Sequence, residues 1–139
     1  MRRPRSKAGL SEIDLTGVWD GLYSYTRSGE LESTFTAVLF QTGGRLSGAI
    51  HETMRRRRGD VPANADVEGS VSGTVVSFAK HYDGTGGQQH TVMYEGRLSG
   101  DEIEGIWSIP SAPGNEGRFL MIRGRKAETR LKKEILEKI

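Results

Sequence analysis

At 139 residues and a net charge of +2, the chain has the size of one domain with one core. It contains no cysteine, which excludes disulfide frameworks, thiolate zinc sites and cysteine nucleophiles together. Positive charge is segregated, with +4 in residues 1–10, +4 in Arg55 to Arg58 and +5 in residues 118–139, leaving the remainder at −11; this pattern of solubilising ends on an acidic body predicts no nucleic-acid partner.

Residues 1–14 read as a basic N-terminal arm. No apolar run follows Met1-Arg2-Arg3-Pro4-Arg5-Ser6-Lys7, so it is not a secretory signal, and no apolar stretch approaches the length of a membrane span. A cytoplasmic protein with no membrane partner is the expectation.

Eight strands follow, near 17–26, 33–41, 45–52, 65–71, 74–80, 90–98, 102–109 and 117–124. Three near-copies of one phrase punctuate them: Gly44-Arg45-Leu46-Ser47-Gly48, Gly69-Ser70-Val71-Ser72-Gly73 and Gly96-Arg97-Leu98-Ser99-Gly100. Glycine supplies the positive φ that tight hairpins need, so the phrase reads as a repeated corner. Connections after strands two, four and six are short, and those after one, three, five and seven (27–32, 53–64, 81–89 and 110–116) are long. In a meander, alternate connections lie at opposite ends. The fold class is therefore all-β: an eight-stranded antiparallel up-and-down barrel over residues 15–124, with one tight end and one mouth rimmed by long loops. Residues 125–139 read as a C-terminal amphipathic helix, with Ala127, Leu131, Ile135 and Ile139 at spacing four, packed on the barrel wall or held for a partner.

Leu15-Thr16-Gly17-Val18-Trp19 resembles the Gly-x-Trp signature that opens the first strand of the calycin barrels, namely lipocalins, fatty-acid-binding proteins and avidins. Gly44-Arg45-Leu46-Ser47-Gly48 is similar to the Gly-x-Leu-Thr-Gly phrase entering the third strand of avidin-type barrels. The resemblance implies that Trp19 packs across the closed end beneath an arginine of the last strand, Arg118 or Arg123. The avidin ligand chemistry is missing: only Trp19 and Trp107 are present, and Ile50 and Glu52 stand where that family presents neutral polar contacts. Biotin is therefore not the expected ligand. Lipocalin disulfides are absent too, so the resemblance carries the fold rather than an activity.

Alternation assigns an interior. Trp19, Gly21, Tyr23 and Tyr25 share one face, as do Leu46, Gly48, Ile50 and Glu52. Val92, Tyr94, Gly96 and Leu98 form a third inner face; Ile103, Gly105, Trp107 and Ile109 form a fourth. Phe119, Met121 and Arg123 belong to the last strand. Strands two and five stay open, with Phe35/Ala37/Leu39 against Thr36/Val38/Phe40 and Val76/Phe78 against Val75/Ala79. Aromatics mixed with glycines leave two outcomes, a cavity beside ring faces or an interior filled by large side chains.

Chemistry-bearing residues are few. His51, His81 and His90 lie beside mouth loops without a recognised ligand spacing, so no metal and no cofactor are expected. Arg55, Arg56, Arg57 and Arg58 are rim candidates for anion binding, or else a solvated loop. Asp83-Gly84-Thr85-Gly86-Gly87 lacks the lysine and helix of a phosphate loop and reads as a flexible lip. No serine sits in a nucleophile elbow. Glu52 is either an acid/base in a half-apolar interior or a buried carboxylate paired with Arg123 or a tyrosine hydroxyl. The leading functional expectation is a barrel that binds a small apolar or aromatic ligand against Tyr23, Tyr25, Ile50, Tyr94 and Trp107, with Glu52 near the mouth. A structural or interaction module with a filled core is the alternative, and a barrel enzyme using Glu52 is third. Oligomeric state is not legible in the sequence.

Overall fold

Two-residue turns set the frame. Gly43-Gly44, Gly73-Thr74 and Gly100-Asp101 each place a glycine with φ near +62° at the first turn position. That is the position the II′ hairpin reserves for glycine, and its twist matches that of the strands it joins. The computed structural model describes residues 14–25, 31–54 and 57–124. The N-terminal arm, the loop at 26–30, Arg55, Arg56 and the expected C-terminal helix at 125–139 lie outside the described residues.

The strands are β1 (Gly17–Tyr25), β2 (Leu31–Thr42), β3 (Arg45–Met54), β4 (Val61–Ser72), β5 (Val75–Tyr82), β6 (Thr91–Ser99), β7 (Glu102–Ser108) and β8 (Glu116–Arg123). Each pairs antiparallel with the next, and β1 pairs with β8, so the meander closes into a barrel. Closure leaves no free sheet edge. The three glycine phrases all touch the tight end but are not equivalent: the first begins in a turn, whereas the second and third end in one.

One connection differs from expectation. The long loop expected at 53–64 is much shorter, because the β3–β4 ladder continues through Thr53↔Pro62 and Met54↔Val61. Proline lacks an N–H and is tolerated only where a strand has no second partner to serve. That condition holds here, since β5 stops pairing with β4 at Ala65↔Tyr82. Gly86 packs beside the Pro62 carbonyl instead, within a 3-10 turn at Thr85–Gly87. The expected flexible lip is thus a hydrogen-bonded turn, with Thr85 N–H donating to Asp83 Oδ1 at 2.8 Å and Gly87 N–H to the Gly84 carbonyl at 2.9 Å.

The open parities resolve inward for Phe35, Ala37 and Leu39 in β2 and for Val76, Phe78, Lys80 and Tyr82 in β5. The tight end is sealed by Trp19, which is fully buried. Its indole N–H donates to the Leu15 carbonyl at 2.9 Å, and the Arg123 guanidinium lies 4.8 Å from its ring centroid. Arg123 also donates to the Asp14 carbonyl at 2.7 Å and pairs with Asp101 at 3.3 Å. Arg118, the other candidate, points outward and is exposed. Above Trp19 an aromatic layer fills the middle of the barrel, with Phe78 stacked on Tyr94 at 4.7 Å and Phe119 edge-on to Tyr94 at 4.9 Å.

Candidate functional site

Alternation in β3 carries Glu52 onto the inner face, and alternation in β5 carries Lys80 there. Between them, β4 presents Ala63, Ala65 and Val67 to the interior at this level, and the two alanines leave room for both long side chains to reach across. Lys80 Nζ donates to Glu52 Oε1 at 2.6 Å, and both residues are 2 % exposed or less. Tyr82 and Tyr23 donate their hydroxyls to Glu52 Oε2 at 2.9 and 3.1 Å. Lys80 also donates to the Tyr94 hydroxyl at 3.3 Å. With three donors aimed at it, Glu52 is satisfied as the carboxylate.

The rings of Tyr82, Tyr23, Tyr94 and Phe35 surround the ammonium, with centroids 4.5 to 5.6 Å from Nζ. Burial pulls the Lys80 ammonium below the ordinary lysine value, and the Glu52 carboxylate opposes that pull. Burial, followed by the Glu52 charge, pushes the hydroxyls of Tyr23, Tyr82 and Tyr94 above the ordinary tyrosine range.

This cluster is the floor of a cavity of about 50 Å³ at the long-loop end. Tyr23, Lys80, Tyr82 and Tyr94 form its base. Its walls are apolar and aromatic, with Tyr25, Trp107, Val92, Ile109 and Met54, while Gln88 and His90 stand at the rim. Tyr25 meets the Trp107 ring edge-on at 4.8 Å, and the Trp107 indole N–H donates to the Ser24 carbonyl at 3.0 Å. That bond fixes the ring in the cavity wall. The His90 ring packs on Tyr82 at 4.8 Å, and burial followed by the Lys80 charge holds its pKa below the ordinary histidine value.

Of the residues expected from the sequence, Tyr23, Tyr25, Tyr94 and Trp107 line this cavity. Glu52 lies behind Lys80 and the tyrosines, with its side chain wholly buried. Ile50 is one layer deeper in the core, opposite Ala37 and Ala65. Arg123 does not pair with Glu52, since it sits at the opposite end over Trp19. Arg57 and Arg58 are exposed in the β3–β4 turn, and Arg55 and Arg56 lie outside the described residues. The histidines do not converge. His51 bonds to Asn64 at 2.7 Å on the outer wall, His81 bonds to Thr91 at 3.0 Å, and among the described residues no cluster is suited to a metal ion. Lys80 and Tyr82 were not anticipated. Their signal was parity alone, because both share a face with Val76 and Phe78.

A closed eight-stranded meander, opened by Gly-x-Trp and sealed by a last-strand arginine over that tryptophan, has the architecture of a calycin-like barrel. No protein-family model matches the chain, and no curated protein matches it. Among solved structures, a mutant of the fluorescent protein UnaG is similar at 10% sequence identity and a TM-score of 0.45, over 84% of this chain and 99% of that one. Among the described residues no helix is long and apolar enough to cross a membrane.

Proposed function

We propose that the protein binds a small, largely apolar or aromatic molecule at the long-loop end of its barrel. The observation that carries this reading is a cavity with ring walls over a polar floor. Tyr25 and Trp107 offer aromatic surface, and Lys80, Tyr82 and Tyr94 offer a few convergent polar groups to orient what enters. Apolar walls with a small number of placed polar groups are the usual composition of ligand sites. At about 50 Å³ the cavity is well below the roughly 300–1,000 Å³ that encloses a drug-sized ligand. It therefore takes a very small molecule, or one end of a larger one whose body rests on the mouth.

The same size favours a second reading, an interaction module whose interior is essentially filled. Glu52 supports binding rather than acid/base chemistry, because both of its oxygens are occupied by protein donors. The test is mass spectrometry under native conditions on protein purified from its own cells. The binding reading predicts a co-purified small molecule that is lost on Tyr94→Ala or Trp107→Ala and kept when Arg55 to Arg58 become Gln. Loss with the arginine changes and retention with the aromatic ones would put the site on the outside and overturn the reading.

A further inference from the structure

A hydrogen-bond count at the cavity floor leaves donors in excess. Lys80 has three N–H donors, of which one is spent on Glu52 and one on Tyr94. The Tyr23 hydroxyl donates to Glu52 and is itself hydrogen-bonded by Ser33, and the Tyr82 hydroxyl donates to Glu52. Tyr94 differs. Its oxygen accepts from Lys80, but no acceptor among the described residues takes its own O–H proton, although the residue is 2 % exposed. The floor therefore retains the Tyr94 O–H and the third Lys80 N–H, and both residues line the cavity. Buried donors without an acceptor cost free energy, so this floor favours an incoming oxygen.

The charge count narrows what that oxygen belongs to. Lys80 is matched by Glu52 at 2.6 Å. The three tyrosines are held neutral, and the depressed basicity of His90 leaves its imidazole neutral at pH 7. Among these groups the charges balance. A carboxylate entering here would meet Glu52 just beyond Lys80, and an ammonium would meet Lys80 itself. Neither finds an unpaired countercharge.

We infer that the buried end of the ligand is an uncharged hydrogen-bond acceptor, a ketone or similar carbonyl oxygen, held by the Tyr94 hydroxyl and the Lys80 ammonium. This rests on the binding reading above and names the chemical class that the site accepts. A site built to donate discriminates against a shape-matched molecule that cannot accept, because its buried donors are then left unpaired.

The test compares four one-ring probes by titration, followed by Trp107 fluorescence or its indole N–H resonance. Acetophenone carries the carbonyl, α-methylstyrene has the same shape without it, and benzoate and benzylamine carry opposite charges. Acetophenone is expected to bind about tenfold more tightly than α-methylstyrene and more tightly than either ion, with its carbonyl stretch lowered in the complex. Tyr94→Phe keeps the ring stack and removes one of the two donors, so it is expected to narrow that gap by weakening acetophenone alone. Equal affinities of acetophenone and α-methylstyrene in the wild type, a preference for benzoate, or a gap that Tyr94→Phe leaves at full size would each overturn the inference while leaving the pocket intact. Failure of all four probes to bind would instead remove the binding reading on which it rests.

Discussion

Replacing Lys80 with Met removes the ammonium while keeping most of the apolar stem. Glu52 then remains buried, still bonded to Tyr23 and Tyr82 but without its countercharge. Breaking a buried pair in this way costs about 3–5 kcal/mol, most of it the penalty on the stranded charge. Glu52→Gln is milder, at about 1–3 kcal/mol. The amide oxygen still accepts from the two tyrosines, and Lys80, already pulled down by burial, sheds its proton more readily than a free lysine. The double variant Glu52→Gln/Lys80→Met strands no charge and is expected within about 2 kcal/mol of wild type, so the two single effects do not add. Urea unfolding at pH 7, followed by tryptophan fluorescence, measures all four proteins. Single variants within about 1 kcal/mol of wild type, or a double variant showing the sum of the single effects, would refute the coupled buried pair.

Three further outcomes are expected. Trp19→Ala removes the fully buried plug of the tight end and the ring under Arg123, and should cost about 3–5 kcal/mol in the same unfolding assay. Stability should fall steeply above pH 10: the Tyr23, Tyr82 and Tyr94 hydroxyls hold their protons in the fold beyond the pH at which unfolded tyrosines release them. Their contribution is complete below the unfolded value of about 10 and declines above it by roughly 1.4 kcal/mol per pH unit for each tyrosine. Lys80 acts in the opposite sense as pH rises toward about 10.5, so the decline should steepen beyond that point, and Tyr82→Phe should make it shallower. Hydrogen exchange should protect the N–H groups of Met54, Val61 and Ala63, which point into the β3–β4 ladder, and leave 57–60 unprotected, whereas uniform fast exchange across 53–64 would contradict the extended ladder.

Much of the barrel was legible because its signals are local. Strand number followed from the turn glycines, and the inner faces of β1, β3, β6, β7 and β8, the inward Glu52 included, followed from alternation; the placing of Trp19 beneath a last-strand arginine came instead from the resemblance of its Gly-x-Trp phrase to the calycin signature. The parities of β2 and β5 were not legible because both faces of these strands carry apolar residues. Val38 and Phe40 are 38 % and 56 % exposed on the outer wall, as apolar in type as Phe35 and Leu39 inside. The β3–β4 connection was misjudged because arginines, Gly59 and Pro62 all read as loop. Only the three-dimensional arrangement reveals that Pro62 sits where its missing N–H costs no ladder bond. Lys80 was hidden for a related reason. A lysine in a strand ordinarily marks the solvent face, and the carboxylate that makes its burial tolerable is 28 residues away in the chain.

The most direct test of the binding site is fragment screening by NMR on isotope-labelled protein. The structure predicts that small aromatic compounds shift the Trp107 indole N–H and the methyl groups of Val92 and Ile109, while the Trp19 indole at the sealed end stays unmoved. Compounds that leave the Trp107 region unchanged and instead shift the exposed wall around Val18 and Phe40 would contradict a ligand site inside the mouth.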